Sequence, residues 1–315
     1  MNRSFITTHA FLLFGLAVTS FAAEPAAPAA KKTVRLMTIG NSFSNDATAY
    51  LDDLAAADGN VLILKTANVG GSPLKLHWDR ADLHDRDPQN KEGTYGNGRG
   101  LKEILRDGPH DFVTIQQRSL SSHDVETYRP YAAKLRDYVK QHAPDAELLL
   151  HVTWAYRVDD PRFKVAKPAP GEPRTQREMY DGLSQAYRAI AAEMEVRLIP
   201  VGDAFMAADA DAKWGFRLPA DFDPKTAQPP LLPNQAHSLH VGHAWGKTNA
   251  GKPTLNMDGH HASSAGRYLG ACVWYEVLFQ TSCVGNAFVP AGMDAEYAKF
   301  LRETAHAAVA KDREK

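Results

Sequence analysis

Short apolar runs alternate along this chain with longer amphipathic ones. Val34 to Ile39 (VRLMTI), Val61 to Thr66 (VLILKT), Phe112 to Gln116 (FVTIQ), Glu147 to Val152 (ELLLHV) and Val196 to Val201 (VRLIPV) have the length and branched side chains of buried strands. Between them, apolar positions recur at helical spacing: Asp46 to Asp58, with Tyr50, Leu51 and Leu54 on one face, then Gly100 to Arg106, Tyr128 to His142 and Thr175 to Met194. Ser263 to Phe279 reads as a last helix. Strands that alternate with helices predict right-handed βαβ crossovers and a parallel sheet covered on both faces. The expected fold is α/β, a three-layer α/β/α sandwich on a five-stranded parallel sheet in flavodoxin-like order. Ligands of such sheets bind outside the carboxyl ends of the strands. Ser42, Gly71, Gln116 and Gln117 all fall at or just after a strand's end.

Two segments break the pattern. Arg157 to Arg174 is rich in proline, and Ala207 to Met257 carries Pro229-Pro230 with many Gly, Asn and His. Both read as long irregular loops, where substrate walls are commonly built. No internal repeat is present.

The first residues do not read as part of a fold. Arg3 precedes a short apolar run, Ala10 to Val18, and small residues follow at Ala22 and Ala23. That is the layout of a secretory signal peptide over residues 1–23, too short in its apolar part to span a bilayer. Residues 24–32 (EPAAPAAKK) read as a disordered spacer, residues 33–285 as the folded domain, and residues 286–315 as a C-terminal segment ending in a helix. The chain is therefore expected to be exported, to the periplasm or beyond, without stable membrane insertion after cleavage.

Composition narrows the partners. Lys+Arg 36 against Asp+Glu 37 leaves a net charge of -1 without a long basic run, which argues against nucleic acid and acidic membrane surfaces. Two cysteines cannot build a disulfide framework; Cys272 and Cys283 are read as more readily free than paired.

Candidate chemistry lies in two places. Ser42 sits in Ile39-Gly40-Asn41-Ser42-Phe43-Ser44, between a strand and a helix, where a serine hydroxyl can be presented at the sheet edge. The same turn would equally suit a helix cap made by Asn41, Ser42 or Ser44. Asp258-Gly259-His260-His261 then supplies an acid and a base three residues apart. A serine needs such a base, and the base needs an orienting acid. The competing use is again structural, with Asp258 and Ser263 capping the last helix.

Taken together, these segments resemble the SGNH (GDSL-like) hydrolase superfamily. Gly40-Asn41-Ser42 stands where that family has Gly-Asp-Ser, Gly70-Gly71 where it has an oxyanion-hole glycine, and Asp258 with His261 where it has Asp-x-x-His. The resemblance implies a triad of Ser42, Asp258 and His261, an oxyanion hole drawing on Ser42 and Gly71, and an ester hydrolase without a cofactor or metal. Block III departs from the family: its Gly-x-Asn-Asp is replaced by Thr114-Ile115-Gln116-Gln117-Arg118-Ser119. A Gln carboxamide offers the same donor on a longer arm. Gln117 is the expected oxyanion donor, with Gln116 the alternative. Many relatives deacetylate polysaccharides, so the resemblance implies a short acyl ester as substrate, foremost acetyl esters of carbohydrate. His77, Trp78 and Trp154 are candidate substrate contacts.

Two other readings compete. The departures at Asn41 and in block III suit a non-catalytic carbohydrate-binding or cell-surface protein on the same fold. His237, His240 and His243 are evenly spaced and could hold zinc for a metal-dependent hydrolase.

Overall fold

In the computed structural model of the chain, the residues described are Met1 and 31–314. The expected signal peptide and most of the expected spacer lie outside them. Five strands form one sheet: β1 (Thr33–Ile39), β2 (Val61–Thr66), β3 (Phe112–Ile115), β4 (Glu147–His151) and β5 (Arg197–Ile199). Their spatial order is β2-β1-β3-β4-β5 and every pairing is parallel. This is the flavodoxin-like order and the α/β architecture that the resemblance implied.

The buried centre of the sheet explains the apolar runs. Leu36, Met37 and Ile39 of β1 and Val113 and Ile115 of β3 are fully enclosed, as a strand covered on both faces requires. Around it lie α1 (Ser42–Ala47), α2 (Leu51–Ala57), α3 (Leu74–Arg86), α4 (Leu101–Arg106), α5 (Tyr131–His142), α6 (Gln176–Met194) and α7 (Val201–Ala210). Thr175 starts α6 by accepting the Glu178 amide, while the Glu178 carboxylate accepts the Arg174 amide. The Thr175 half of that pattern is the cap that T-x-x-E spells in the sequence, with Glu178 reaching one residue further back than a capping box does. Helix α8 (Ser264–Phe279) is buried nearly all round, and α9 (Ala295–Arg313) packs on it and on α7 through Leu301, Ala305 and Val309. Cys272 and Cys283 are both free and buried.

Three sequence expectations need correcting. The helix expected over Asp46 to Asp58 is two helices, α1 and α2, with α1 starting at Ser42. Helix α3 gave no apolar signal because the stripe it buries is Leu74, His77, Ala81 and His84, half of it histidine. The segment Ala207 to Met257 is not irregular throughout. It contains the end of α7 and most of an antiparallel hairpin, β6 (His240–Lys247) and β7 (Pro253–Ala262). The hairpin is largely half-buried on both faces, without an apolar side set against a polar one, so no clear period of two reaches the sequence.

Candidate active site

Ser42 is the first residue of α1, directly past the carboxyl end of β1. The helix is capped by its neighbour: Asn41 Oδ1 accepts the Phe43 amide at 3.0 Å. Asn41 also accepts from Gln116 Nε2 at 2.8 Å and donates through Nδ2 to the Ser72 carbonyl at 3.0 Å. With capping assigned to Asn41, the Ser42 hydroxyl is left for another partner. That partner is His261, whose Nε2 lies 2.9 Å from Ser42 Oγ.

His261 comes from the far side of the molecule in sequence, at the end of β7. Residues three apart on a regular strand point to opposite faces, which would separate Asp258 from His261. A β-bulge removes that obstacle. His240 pairs with Ala262 and Gly242 with Asp258, so one residue of β6 faces three of β7. Within the bulge, Asp258 Oδ1 accepts the amides of His260 and His261 at 3.2 and 3.0 Å, curling the chain back on itself. Asp258 Oδ2 then lies 2.8 Å from His261 Nδ1. Gly259 is required by the packing outside: a Cβ there would sit 2.5 Å from Asp160 Oδ2. Helix α8 is capped by Ser263, which accepts the Gly266 amide, so the Asp258 carboxylate has no capping duty.

The electrostatics agree with this geometry. The hydrogen bond with Asp258 raises the His261 pKa above its ordinary value, against the opposing effect of burial. Burial would raise the Asp258 pKa, but hydrogen bonds from the His261 side chain and backbone outweigh it and hold the carboxyl ionised. A neutral His261 donates through Nδ1–H to Asp258 and accepts the Ser42 proton at Nε2. Asp46 fixes the two halves together: from α1 it accepts the Ala262 amide at 2.9 Å and pairs with Arg267 of α8.

Ser42 and His261 open onto a cavity of about 330 Å³, lined also by Gly71, Arg118, Tyr156, Arg162 and His260. Gly71 has φ +65, the left-handed region that favours glycine, which turns its exposed backbone toward this space. Ser42, at the first helical position, carries an amide with no intrahelical acceptor.

The other predicted site residues are placed differently. Neither glutamine lines the cavity. Gln116 gives its amide to Asn41 and accepts from Ser44 and from His151 Nδ1. Gln117 gives its amide to Thr127 at 2.8 Å and accepts the Leu74 and Arg118 amides. Both Gln117 Nε2 contacts go to Thr127, and Gln116 Nε2 is turned to Asn41, away from the cavity lining. His77 is fully buried, between Ser72, the Gly40 carbonyl and Tyr95, and burial pushes its pKa down to about 3. It clamps the turn after β1 to the turn after β2. Trp154 is buried between Phe43 and Phe205, at centroid distances of 4.3 and 4.5 Å. Trp78 packs edge-on against Tyr138, under Lys134. All three are packing residues, not cavity walls.

The histidine trio does not converge. His240 is buried against the Ala155 carbonyl, His243 lies against Arg157, and His237 packs edge-on against Trp214 and tilted against Tyr297. Among the described residues, the set close enough to share an ion is Asp258, His260 and His261. Both ring nitrogens of His261 are already engaged there, so an ion would displace Ser42 or Asp258. Sequence reasoning passed over Arg118, Arg162 and Asp46, since single charged residues give no spacing signal.

The profile of a domain of unknown function, DUF4886, matches residues 35–212. The chain belongs to the DUF4886 family. The family match includes Ser42, Gly71 and Gln117 and stops short of Asp258 and His261. A crystal structure of a DUF4886 family protein from Bacteroides uniformis is similar over 88% of this chain and 95% of its own, with 24% identity and a TM-score of 0.67. The two share a fold. A protein from Slackia heliotrinireducens described as a candidate SGNH hydrolase is 21% identical over 78% of this chain and 98% of its own, with a TM-score of 0.46. Phospholipase A1 from Streptomyces albidoflavus is 12% identical over 78% of this chain and 98% of its own, at 0.38. Scores that low carry no statement about activity. Comparison with curated proteins gave no match.

Proposed function

We propose that this DUF4886 protein is an exported serine ester hydrolase of the SGNH type, acting on short acyl esters, chiefly acetyl esters of carbohydrate. The observation that carries the reading is the continuous hydrogen-bonded chain Asp258–His261–Ser42 at the mouth of a cavity. Each contact is within the distance a general base needs.

In the proposed reaction, Ser42 Oγ attacks the ester carbonyl carbon as its proton passes to His261 Nε2. The carbonyl electron pair moves onto oxygen, facing the Ser42 and Gly71 amides. Collapse breaks the bond to the alcohol oxygen, which takes the proton from His261. Water, giving a proton to His261, then attacks the acyl carbon; collapse breaks its bond to Ser42 Oγ, which takes the proton back from His261 as the acid leaves. Asp258 stabilises the imidazolium in both halves. The oxyanion hole rests on backbone donors, because the two glutamine amides have other partners.

The small size of the cavity favours a short acyl group. Export rests on the expected signal peptide; no helix among the described residues is long and apolar enough to cross a membrane. The test is hydrolysis of p-nitrophenyl acetate by the parent and by Ser42→Ala. Turnover present in the parent and lost in the variant is expected. Equal rates in both would remove Ser42 from the reaction.

A further inference from the structure

Two arginines stand in the wall of the cavity beside Ser42. Arg118 follows the β3 strand end, and Arg162 lies in the loop after β4; both line the cavity and both are exposed. Ten of the eighteen described arginines pair with carboxylates, Arg129, Arg188, Arg197 and Arg267 among them. Among the described residues, neither Arg118 nor Arg162 has an ion-pair partner. Arg162 donates to the Tyr156 hydroxyl at 2.9 Å and lies over its ring at 4.9 Å. The nearby carboxylate, Asp160, is buried and takes the Arg162 backbone amide and the Gly259 packing contact instead.

Both charges bear on one spot. Burial raises the Tyr156 hydroxyl pKa, while its hydrogen bond with Ser119 and the charges of Arg162 and Arg118 pull it down, with Asp160 acting the other way. Tyr156 in turn stands 5.6 Å from the His260 ring, and His260 stands 4.2 Å from His261. Arg162 thus lies on Tyr156, a few ring contacts from the nucleophile, and Arg118 lines the same cavity. Guanidinium forks match carboxylate, sulfate and phosphate oxygens, and partial enclosure strengthens the pairing.

We infer that the ester taken by this cavity carries an anionic oxygen group near the acylated hydroxyl, and that Arg118 and Arg162 bind that group. The inference rests on Ser42 being the acyl acceptor and narrows the substrate to acidic acyl esters, such as acetylated uronic acids or acetylated sulfated sugars. Arg118 and Arg162 are then specificity residues, distinct from the triad.

The test compares acetate release from matched acetylated methyl glycosides of galactose, galacturonic acid and galactose 6-sulfate, at low and high salt. An anionic glycoside should exceed the neutral one by about tenfold or more in kcat/KM at low salt, and the ratio should shrink as salt screens the pair. The carboxylate and sulfate arms show which oxyanion is preferred. Arg118→Gln with Arg162→Gln should bring the ratio near one, and Arg162→Lys should keep part of it. A parent that takes neutral and anionic esters equally, or a double variant with an unchanged ratio, overturns the inference. If no acetyl ester is turned over, the esterase reading fails separately. Methyl galacturonoside and methyl galactoside are then titrated into Ser42→Ala. Binding of the anionic sugar that is lost with both arginines upholds the anion site, and no preference between the sugars overturns it.

Discussion

The two halves of the candidate site are held by opposite means. The nucleophile side belongs to the sheet: Ser42 follows a central strand, and Asn41, Ser72, His77 and Gln116 cross-link its turn in a buried network. The base side is an excursion, a half-exposed hairpin whose bulge carries Asp258 and His261. Arg157 anchors that excursion. Its backbone amide donates to the Gly259 carbonyl at 2.7 Å, and its buried guanidinium reaches Asp159, Gln235 and Ser238. Two histidines mark the contrast. His77 on the rigid side is held neutral by burial, whereas His261 on the excursion is made more basic by its carboxylate. A serine hydrolase needs its nucleophile fixed and its base chargeable, and this fold assigns the two tasks to different structures.

The comparison can be broken most severely at its junction. Ser42→Ala and His261→Ala should each lower esterase kcat by on the order of 10⁴-fold or more, and Asp258→Asn by about 10⁴-fold, measured on p-nitrophenyl acetate. Near-parental turnover in any of the three would detach that residue from the chemistry. Arg157→Ala strikes the excursion alone. By stranding Asp159 it should cost about 3–5 kcal/mol of stability, read from denaturant unfolding. A loss below about 1 kcal/mol would mean the hairpin is anchored elsewhere.

Gln117→Leu separates a structural amide from a catalytic one. A donor to the oxyanion would cost 10²- to 10³-fold in kcat. The bonds to Thr127 and the Leu74 amide instead predict about 1–3 kcal/mol of lost stability, with kcat in the surviving folded protein changed by less than about tenfold.

The smallest effect is in pH. His261 must be neutral to take a proton, and its pKa is raised above 6.5, so kcat/KM should rise with pH along a limb centred above that value. The sign for stability is opposite. A raised folded-state pKa favours the folded protein fully below 6.5, and that contribution fades as pH climbs through the raised value. A limb centred well below 6.5, tracked by rate against pH, would assign the base to another group.

The same division governs what the sequence made legible. The sheet was readable because β1 and β3 are buried on both faces and therefore spelled in Leu, Ile, Val and Met. Ser42 was legible from its place after such a strand, and the spacing of Asp258 and His261 suggested a pair. The bulge that joins them was not, since nothing in Asp-Gly-His-His distinguishes a regular strand from one that doubles back. The glutamines misled for a related reason: a carboxamide at a strand end says it will bond, and only the surroundings decide with what. His77 and Trp154 read as substrate contacts because aromatics near loops can stack on sugars, yet burial makes them part of the frame.

The bulge also sets how easily the reaction could be lost while the protein survives. Since β7 carries two more residues than β6 between the flanking pairs, an in-frame deletion of two codons within 259–261 would restore a regular hairpin. The flanking pairs would keep their register and the sheet would be untouched. Such a deletion would turn the molecule, in a single genetic step, from a candidate catalyst into a scaffold of the same shape. Lineages that have abandoned hydrolysis should therefore be sought by hairpin length, not only by replacement of the serine.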